Sequence, residues 1–259
     1  MSEIDTPIHL WADAIEERAQ TLESLDIFRA VVLAETASTQ AAAVQHSGGK
    51  PGLVCIASRQ TGGRGRLGRQ WADDMGKGVS VTLALDADVD GARFSLAVGV
   101  AVAEACADIG PGPRVGLRWP NDVVDRPTGS KIAGVLIEKQ GDLTLVGIGI
   151  NVHQTQEDWQ KVGQTGAVSL ASLESPADRL ALTLEVLSLI DQKLGAEPKS
   201  LAQQWHTRDT LTGTSQTFEH DGKRISGLVE SIDPTNTLIV RTTSGLVRLP
   251  ASSTSLIHS

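Results

Sequence analysis

Gly63-Arg64-Gly65-Arg66-Leu67-Gly68-Arg69 packs three glycines and three arginines into seven residues, and the fold hinges on whether a helix comes directly after them. Taken literally the stretch satisfies G-x-G-x-x-G, the dinucleotide fingerprint, whose third glycine must lie inside a helix packed on a sheet. Arg69-Gln70-Trp71-Ala72-Asp73-Asp74-Met75-Gly76-Lys77-Gly78 carries no helical apolar stripe and runs directly into the strand-like residues 78–85. The supposed βαβ unit therefore lacks its helix. The Walker pattern G-x-x-x-x-G-K-[ST] is absent as well. What remains is a mobile, glycine-framed loop between strands, with Arg59 as a fourth arginine and no acidic residue among the four. In a chain of formal net charge −8 such a local concentration of cations asks for an anion. Arginine offers planar forks to phosphate and carboxylate, and glycine lets backbone N–H groups come close to a ligand. A nucleotide and an RNA backbone both satisfy that description. Trp71 stands two residues past the last arginine, placed either to stack on a base or to fill the core.

Upstream of the loop, residues 9–22 read as an amphipathic helix with Leu10, Ile15 and Leu22 among its apolar positions and Glu16, Glu17 and Arg18 outward. A strand at residues 28–33 follows. Thr36-Ala37-Ser38-Thr39 is a helix N-cap signal leading into the alanine-rich residues 40–45, and residues 53–57 form an apolar strand entering the loop. Downstream, residues 94–109 repeat alanine, valine and leucine at helical spacing until Gly110-Pro111-Gly112-Pro113. A strand at 115–119 then leads to Pro120-Asn121-Asp122. Residues 180–194 form a long leucine helix, and 201–206 continue the helical part. After about residue 211 the texture changes to short alternating strands with turns at Asp221-Gly222, Asp233-Pro234 and Ser244-Gly245. This predicts a small β-barrel or sandwich that leans on its neighbour.

The length of 259 residues suits one substantial α/β domain with an appendage, and 40% hydrophobic with 21% charged residues is a globular balance. No apolar run reaches membrane-spanning length, and residues 1–7 hold no charged-then-apolar leader, which predicts a soluble, unexported protein. Cys55 and Cys106, each in an apolar stretch, read as buried free thiols suited to a reducing cytosol. The acidity argues against a general binder of nucleic acid or anionic membrane, and one N-terminal helix is too little for a helix-turn-helix. His9, His46, His153, His206, His220 and His258 are scattered without metal-ligand spacing, and no G-x-S-x-G, H-E-x-x-H or paired C-x-x-C occurs.

Residues 131–138 and 143–152 read as strands of a hairpin. Folded about Gly141, they set Lys131 opposite Asn151, Ala133 opposite Gly149 and Val135 opposite Gly147 on one face, with Ile132, Leu136, Val146, Ile148 and Ile150 as core on the other. The first face has room above the sheet, for a ligand or for a packed helix.

Four pieces coincide: Glu35-Thr36-Ala37-Ser38-Thr39; Arg59-Gln60 with the glycine and arginine loop and Trp71; Arg118-Trp119-Pro120-Asn121-Asp122; and Lys131-Ile132-Ala133-Gly134-Val135-Leu136-Ile137-Glu138 with Gly147-Ile148-Gly149-Ile150-Asn151. In this order and spacing they resemble the biotin protein ligases, over roughly residues 29–152. The resemblance implies an α/β fold: a mixed sheet with flanking helices, like the catalytic domains of class II aminoacyl-tRNA synthetases, over residues 1–210, and a small SH3-like barrel over 211–259. It implies biotin contacts from Ser38, Thr39, Gln60, Gly63, Arg66, Lys131 and Gly134, and a loop closing over the acyl adenylate through Arg64. Arg66, Arg69, Asn121 and Asp122 fall on the phosphate or Mg²⁺ side, with Trp71 and Asn151 at the adenine and Lys131 at the carboxylate and α-phosphate. No metal ligands are specified. Gln40 stands where the family commonly has asparagine, and Arg118 where it often has lysine. The activity implied is ATP-dependent biotin activation and transfer to a biotin carboxyl carrier protein in the cytoplasm, without nucleic acid or membrane as partner. A lipoate or octanoate ligase and a non-catalytic biotin-binding regulator are the alternatives.

Overall fold

The computed structural model describes residues 5–73 and 76–257. Part of the leader reading, the reading through Asp74 and Met75, and that of His258 lie outside the described residues.

Two almost wholly buried neighbouring strands set the main sheet. β2 (Leu53–Ala57) is buried throughout and β5 (Gly78–Asp86) is buried up to its last residue, as expected for strands covered on both faces. Around them lie β1 (Arg29–Leu33), β6 (Val115–Arg118), β7 (Asp122–Asp125), β8 (Lys131–Gln140) and β9 (Leu143–Asn151), in the order β1-β2-β5-β9-β8-β7-β6. Only β1 and β2 run parallel, so the sheet is mixed.

One face of this sheet carries the main core. α3 (Gly91–Asp108) starts at Asp90, whose carboxylate accepts from the backbone N–H groups of Ala92 and Arg93, and α5 (Arg179–Gly195) starts at Asp178 in the same manner. α1 (Trp11–Ala19) and α6 (Pro198–Arg208) complete the layer. α1 is shorter than the periodicity suggests: a 3₁₀ turn precedes it, and Leu10 is 47% exposed rather than packed. Ile132, Val146, Ile148 and Ile150 are buried here, with Cys106. On the opposite face α2 (Thr39–Ser47), with Ser38 at its N-cap, lays Ala42 and Ala43 on Leu53, Cys55, Ala84, Leu143 and Leu145. The alanines let the helix lie close, but α2 covers only part of that face. Burial pushes both thiols up to about 12, which keeps them protonated and inert.

The glycine and arginine stretch is more ordered than a plain loop. β3 (Gln60–Arg64) and β4 (Gln70–Asp73) pair as a two-stranded ribbon, joined by a 3₁₀ turn in which Leu67 and Gly68 both take positive φ. Among the described residues no helix separates β4 from β5, which agrees with rejecting the dinucleotide fold. Besides β3 and β4, two further elements escape the sequence reading: the four-residue β7, and α4 (Gln156–Lys161), capped by Thr155 and Asp158 in a reciprocal box.

Beyond α6, β10 (Ser215–His220), β11 (Lys223–Ile232), β12 (Thr237–Thr242), β13 (Gly245–Pro250) and β14 (Thr254–Leu256) form an antiparallel sheet in the order β13-β12-β11-β10-β14. Asp221 and Gly222, with φ of 49° and 71°, make the two-residue turn that the dipeptide announces. Phe218, Val229, Val240 and Leu249 are buried in a cluster contiguous with the main core. No helix among the described residues is long and apolar enough to cross a membrane.

Candidate functional site

The uncovered part of the second sheet face is a groove whose floor is made by missing side chains. The β8–β9 register is one residue off the expectation: Gly134 faces Gly149 and Leu136 faces Gly147. The cause is the connection, a two-residue turn with Gln140 paired to Leu143 rather than a turn centred on Gly141. Ala133 and Val135 consequently belong to the buried side, and Leu136, expected in the core, is half-buried beside the groove. Lys131 nevertheless reaches the groove. β8 bulges at Ile132 against β7, where Val123 pairs with Ala133 and Val124 with Lys131, and the extra residue resets the alternation. A Cβ built on Gly134 would lie 2.7 Å from Lys131 Nζ.

The β3–β4 ribbon folds over this floor and sets Trp71 on it. A Cβ on Gly149 would sit 2.4 Å from the indole, so only glycine admits the ring there. On Gly63 a Cβ would meet the Trp71 carbonyl at 2.6 Å, which explains that glycine within the ribbon. Lys131 Nζ stands 5.5 Å from the Trp71 ring centroid. Trp71 thus packs between the glycine floor and a cation, at the junction of two compartments.

On one side of Trp71 lies a small polar pocket, lined by Ser38, Thr39, Gln40 and Gln60 with Gly134 and Gly147. On the other opens a cleft of about 820 Å³, where Arg66, Arg69, Asn121, Asp122, Lys131 and Asn151 converge. Asp122 is its key anion. Burial works against ionisation of that carboxyl, but Lys131 at 2.6 Å and Arg118 at 2.9 Å outweigh it and hold the group below the usual carboxylate range. Arg118 is itself buried and donates to the Gly129 carbonyl at 2.7 Å. Asn151 donates to the Lys131 carbonyl at 3.0 Å, and Asn121 to that of Val135 at 2.8 Å, so both amides are fixed on β8.

Arg66 bridges three segments: Nη1 donates to Asn121 Oδ1 at 3.4 Å, while Nη2 donates to the Ala251 carbonyl in the turn after β13. Burial pushes its guanidinium below the ordinary arginine value, opposed by the charge of Asp122 and aided by that of Arg69. Arg64 points outward, 3.6 Å from Glu138, with both side chains about half exposed. Such an open pair holds loosely.

The structure therefore brings Ser38, Thr39, Gln60, Arg64, Arg66, Trp71, Lys131 and Gly134 around one pocket and Arg69, Asn121, Asp122 and Asn151 around the adjoining cleft, with Gly63 on the ribbon above. Sequence reasoning missed two walls of that cleft. Gln164, Thr165, Gly166 and Ala167 line it, strapped to Lys131 by N–H to O=C bonds of 2.7 and 2.9 Å that involve Gly166 and Val168. Ser255, Leu256 and Ile257 supply the other wall. A polar glycine-containing segment after a strand was the only available signal for the first, and nothing in the local sequence marks the second.

A mixed sheet whose glycine-floored groove joins a small pocket at the N-terminus of α2 to a cation-rich cleft is the layout of an acid-activating ligase, and the comparisons agree. Residues 31–154, from within β1 to just past β9, match the Biotin/lipoate A/B protein ligase family. The chain belongs to this family, and within it to the biotin protein ligases. It is 33% identical over 214 residues to the biotin--[acetyl-CoA-carboxylase] ligase of Mycobacterium tuberculosis, covering 78% of this chain and 79% of that protein. It is 27% identical over 236 residues to the biotin--[acetyl-CoA-carboxylase] ligase of Paracoccus denitrificans, covering 85% and 98% respectively. Its fold is similar to that of the biotin protein ligase from Aquifex aeolicus in complex with biotin and ATP, with a TM-score of 0.74, 27% identity and coverage of 89% of this chain and 99% of that one.

Proposed function

We propose that the chain activates biotin with ATP to biotinyl-5'-AMP and passes the biotinyl group to a lysine of a biotin carboxyl carrier protein. The observation that carries this reading is the groove over Gly134 and Gly149, which joins the small pocket at Ser38, Thr39 and Gln60 to a cleft rich in cations, with Lys131 at the junction. The ring system of the acid occupies the side of Ser38, Thr39, Gln60 and Gly63, and its carboxylate reaches Lys131. ATP occupies the other side, its phosphates among Arg66, Arg69 and Lys131 and its adenine near Trp71 and Asn151.

The carboxylate oxygen attacks the α-phosphorus, forming the acyl–phosphate bond as the bond to pyrophosphate breaks. Two anions must meet, and Lys131 with the arginines lowers the cost by facing the developing charge from fixed positions. Asp122 holds Lys131 in place through the 2.6 Å contact. The carrier's lysine amine then attacks the carbonyl carbon, an amide forms, and AMP departs with the electrons of the broken C–O bond. Arg64, only loosely held by Glu138, is free to swing inward and shield the adenylate from water.

Mg²⁺ fits this site only as a companion of the nucleotide. No cluster of three or more His, Cys, Asp or Glu suited to a metal occurs among the described residues, and Asp122, the only acidic lining residue of the cleft among them, is taken by two cations. Mg²⁺ held mainly by triphosphate oxygens would neutralise phosphate charge.

We further propose that residues 1–210 form the catalytic domain, with the sheet layout of class II aminoacyl-tRNA synthetases, and 211–259 an SH3-like domain that walls the nucleotide cleft. The buried free thiols favour a cytoplasmic location, and the net charge of −8 disfavours nucleic acid as a partner. A lipoate or octanoate ligase is the alternative, and the side chains of Ser38, Thr39, Gln40 and Gln60 at the acid pocket suit a polar ring better than a hydrocarbon chain.

With ATP, Mg²⁺ and biotin the protein labels a biotin carboxyl carrier domain, and Arg64→Ala lowers the labelling rate about tenfold or more, the scale of one lost charge-assisted contact. Labelling with octanoate or lipoate in preference to biotin overturns the assignment of the acid.

A further inference from the structure

Three neighbouring strands each contribute one charged residue to an ion triad at the cleft. Arg118 closes β6, Asp122 opens β7 directly opposite it, and Lys131 opens β8. Arg118 Nη2 donates to Asp122 Oδ2 at 2.9 Å, and Lys131 Nζ lies 2.6 Å from Asp122 Oδ1, so the two carboxylate oxygens serve different cations. Exposure rises along the triad: the side chains of Arg118, Asp122 and Lys131 are 8%, 19% and 27% exposed. The lysine is therefore the member most open to a substrate.

Arg118 has a second hold on Lys131. Its Nη1 donates at 2.7 Å to the carbonyl of Gly129, which lies in the turn between β7 and β8, two residues before Lys131. The Gly129 N–H closes that turn on the Asp125 carbonyl at 2.8 Å. One planar guanidinium thus fixes both the counter-ion of the lysine and the backbone that delivers it. With both terminal nitrogens on protein acceptors and its side chain buried, Arg118 is poorly placed to bind substrate itself. Its effect on the lysine is electrostatic as well. A carboxylate facing Lys131 alone would turn toward it and form a neutral pair with little attraction left for an incoming anion. Held by its far oxygen on Arg118, Asp122 is shared, and the triad keeps one positive charge in excess.

We propose that Arg118 is a positioning residue for acyl-adenylate formation, acting through Asp122 to keep Lys131 aimed at the reacting anions with its charge uncancelled. This rests on the reading of Lys131 as the cation that faces the acid carboxylate and the α-phosphate.

The test follows biotin-dependent exchange of pyrophosphate into ATP by the full chain, at a temperature below the thermal midpoint of every variant. Arg118→Gln keeps a donor for the Gly129 carbonyl and removes the charge beside Asp122. The expected result is a fall in kcat of about tenfold, the scale of one charge-assisted contact, with the KM values for biotin and ATP within about twofold. Arg118→Lys, which retains a charge beside Asp122, keeps at least about a third of the rate. In an Asp122→Asn background Arg118→Gln costs clearly less than it does alone, because the carboxylate through which it acts is gone. A fall of less than about threefold from Arg118→Gln alone, an equal fall in both backgrounds, or an Arg118→Lys variant as slow as Arg118→Gln overturns the proposal. So does a raised KM for ATP at unchanged kcat, which makes Arg118 a phosphate contact. Arg118→Met replaces Arg118→Gln, with the same pattern expected, if the latter does not fold. Absence of exchange in the unaltered chain overturns the ligase reading instead.

Discussion

Replacing Lys131 with alanine is expected to slow acyl-adenylate formation by about 10³-fold, read as biotin-dependent exchange of pyrophosphate into ATP. The magnitude follows from position: a unit charge about 4 Å from a developing anion at an effective dielectric near 20 is worth about 4 kcal/mol, or three decades in rate. Lys131 meets that condition because the bulge at Ile132 turns it into the groove and Asp122 and the Trp71 face hold it there. Lys131→Arg is not expected to restore the rate, since a planar fork does not fit the space of a compact ammonium beside the ring. Exchange reduced by less than about tenfold in the alanine variant would remove Lys131 from the chemistry.

The second large effect is on stability. Asp122→Asn leaves buried Arg118 and half-covered Lys131 facing an amide in place of a charge, and breaking such a pair costs about 3 kcal/mol or more. The pH dependence has a definite sign. Cationic neighbours depress the Asp122 pKa in the folded state, so its stabilisation is fully present above about pH 4, the ordinary carboxylate value, and is lost as pH falls through the lower folded value. Urea midpoints of the two proteins should therefore differ clearly at pH 7 and converge in strong acid. Equal midpoints at pH 7, or a gap undiminished at pH 2, would contradict the charge account.

The sequence revealed composition-driven features and concealed those that depend on a count of one residue. Glycine, proline and apolar spacing located the strands around residue 55 and residue 80, the helix ending before Gly110, and the turn at Asp221-Gly222, because each is a local preference of the backbone. The hairpin after Lys131 was legible as a hairpin, but its faces were not. A two-residue turn and a bulge each shift the alternation by one, and neither carries a side-chain signal strong enough to place it. β7 is too short for periodicity to register. The arginines were legible as a group with a shared purpose, whereas their separate partners, Glu138 for Arg64 and Ala251 for Arg66, depend on tertiary placement. Gln40 looked like a minor departure from a motif and stands instead as a buried side chain whose amide donates to the Leu136 carbonyl of β8.

The reach of Arg66 has a consequence for the order in which the molecule is made. Its guanidinium ties the glycine-rich ribbon to a carbonyl 185 positions further along the chain. Synthesis runs from the N-terminus, so the ribbon leaves the ribosome with the β8–β9 floor beneath it still unmade and its last anchor made much later. The rim of the site is therefore among the late structures to form, and a nascent chain stalled before residue 251 would hold the groove floor and α2 without the tether that fixes the arginines.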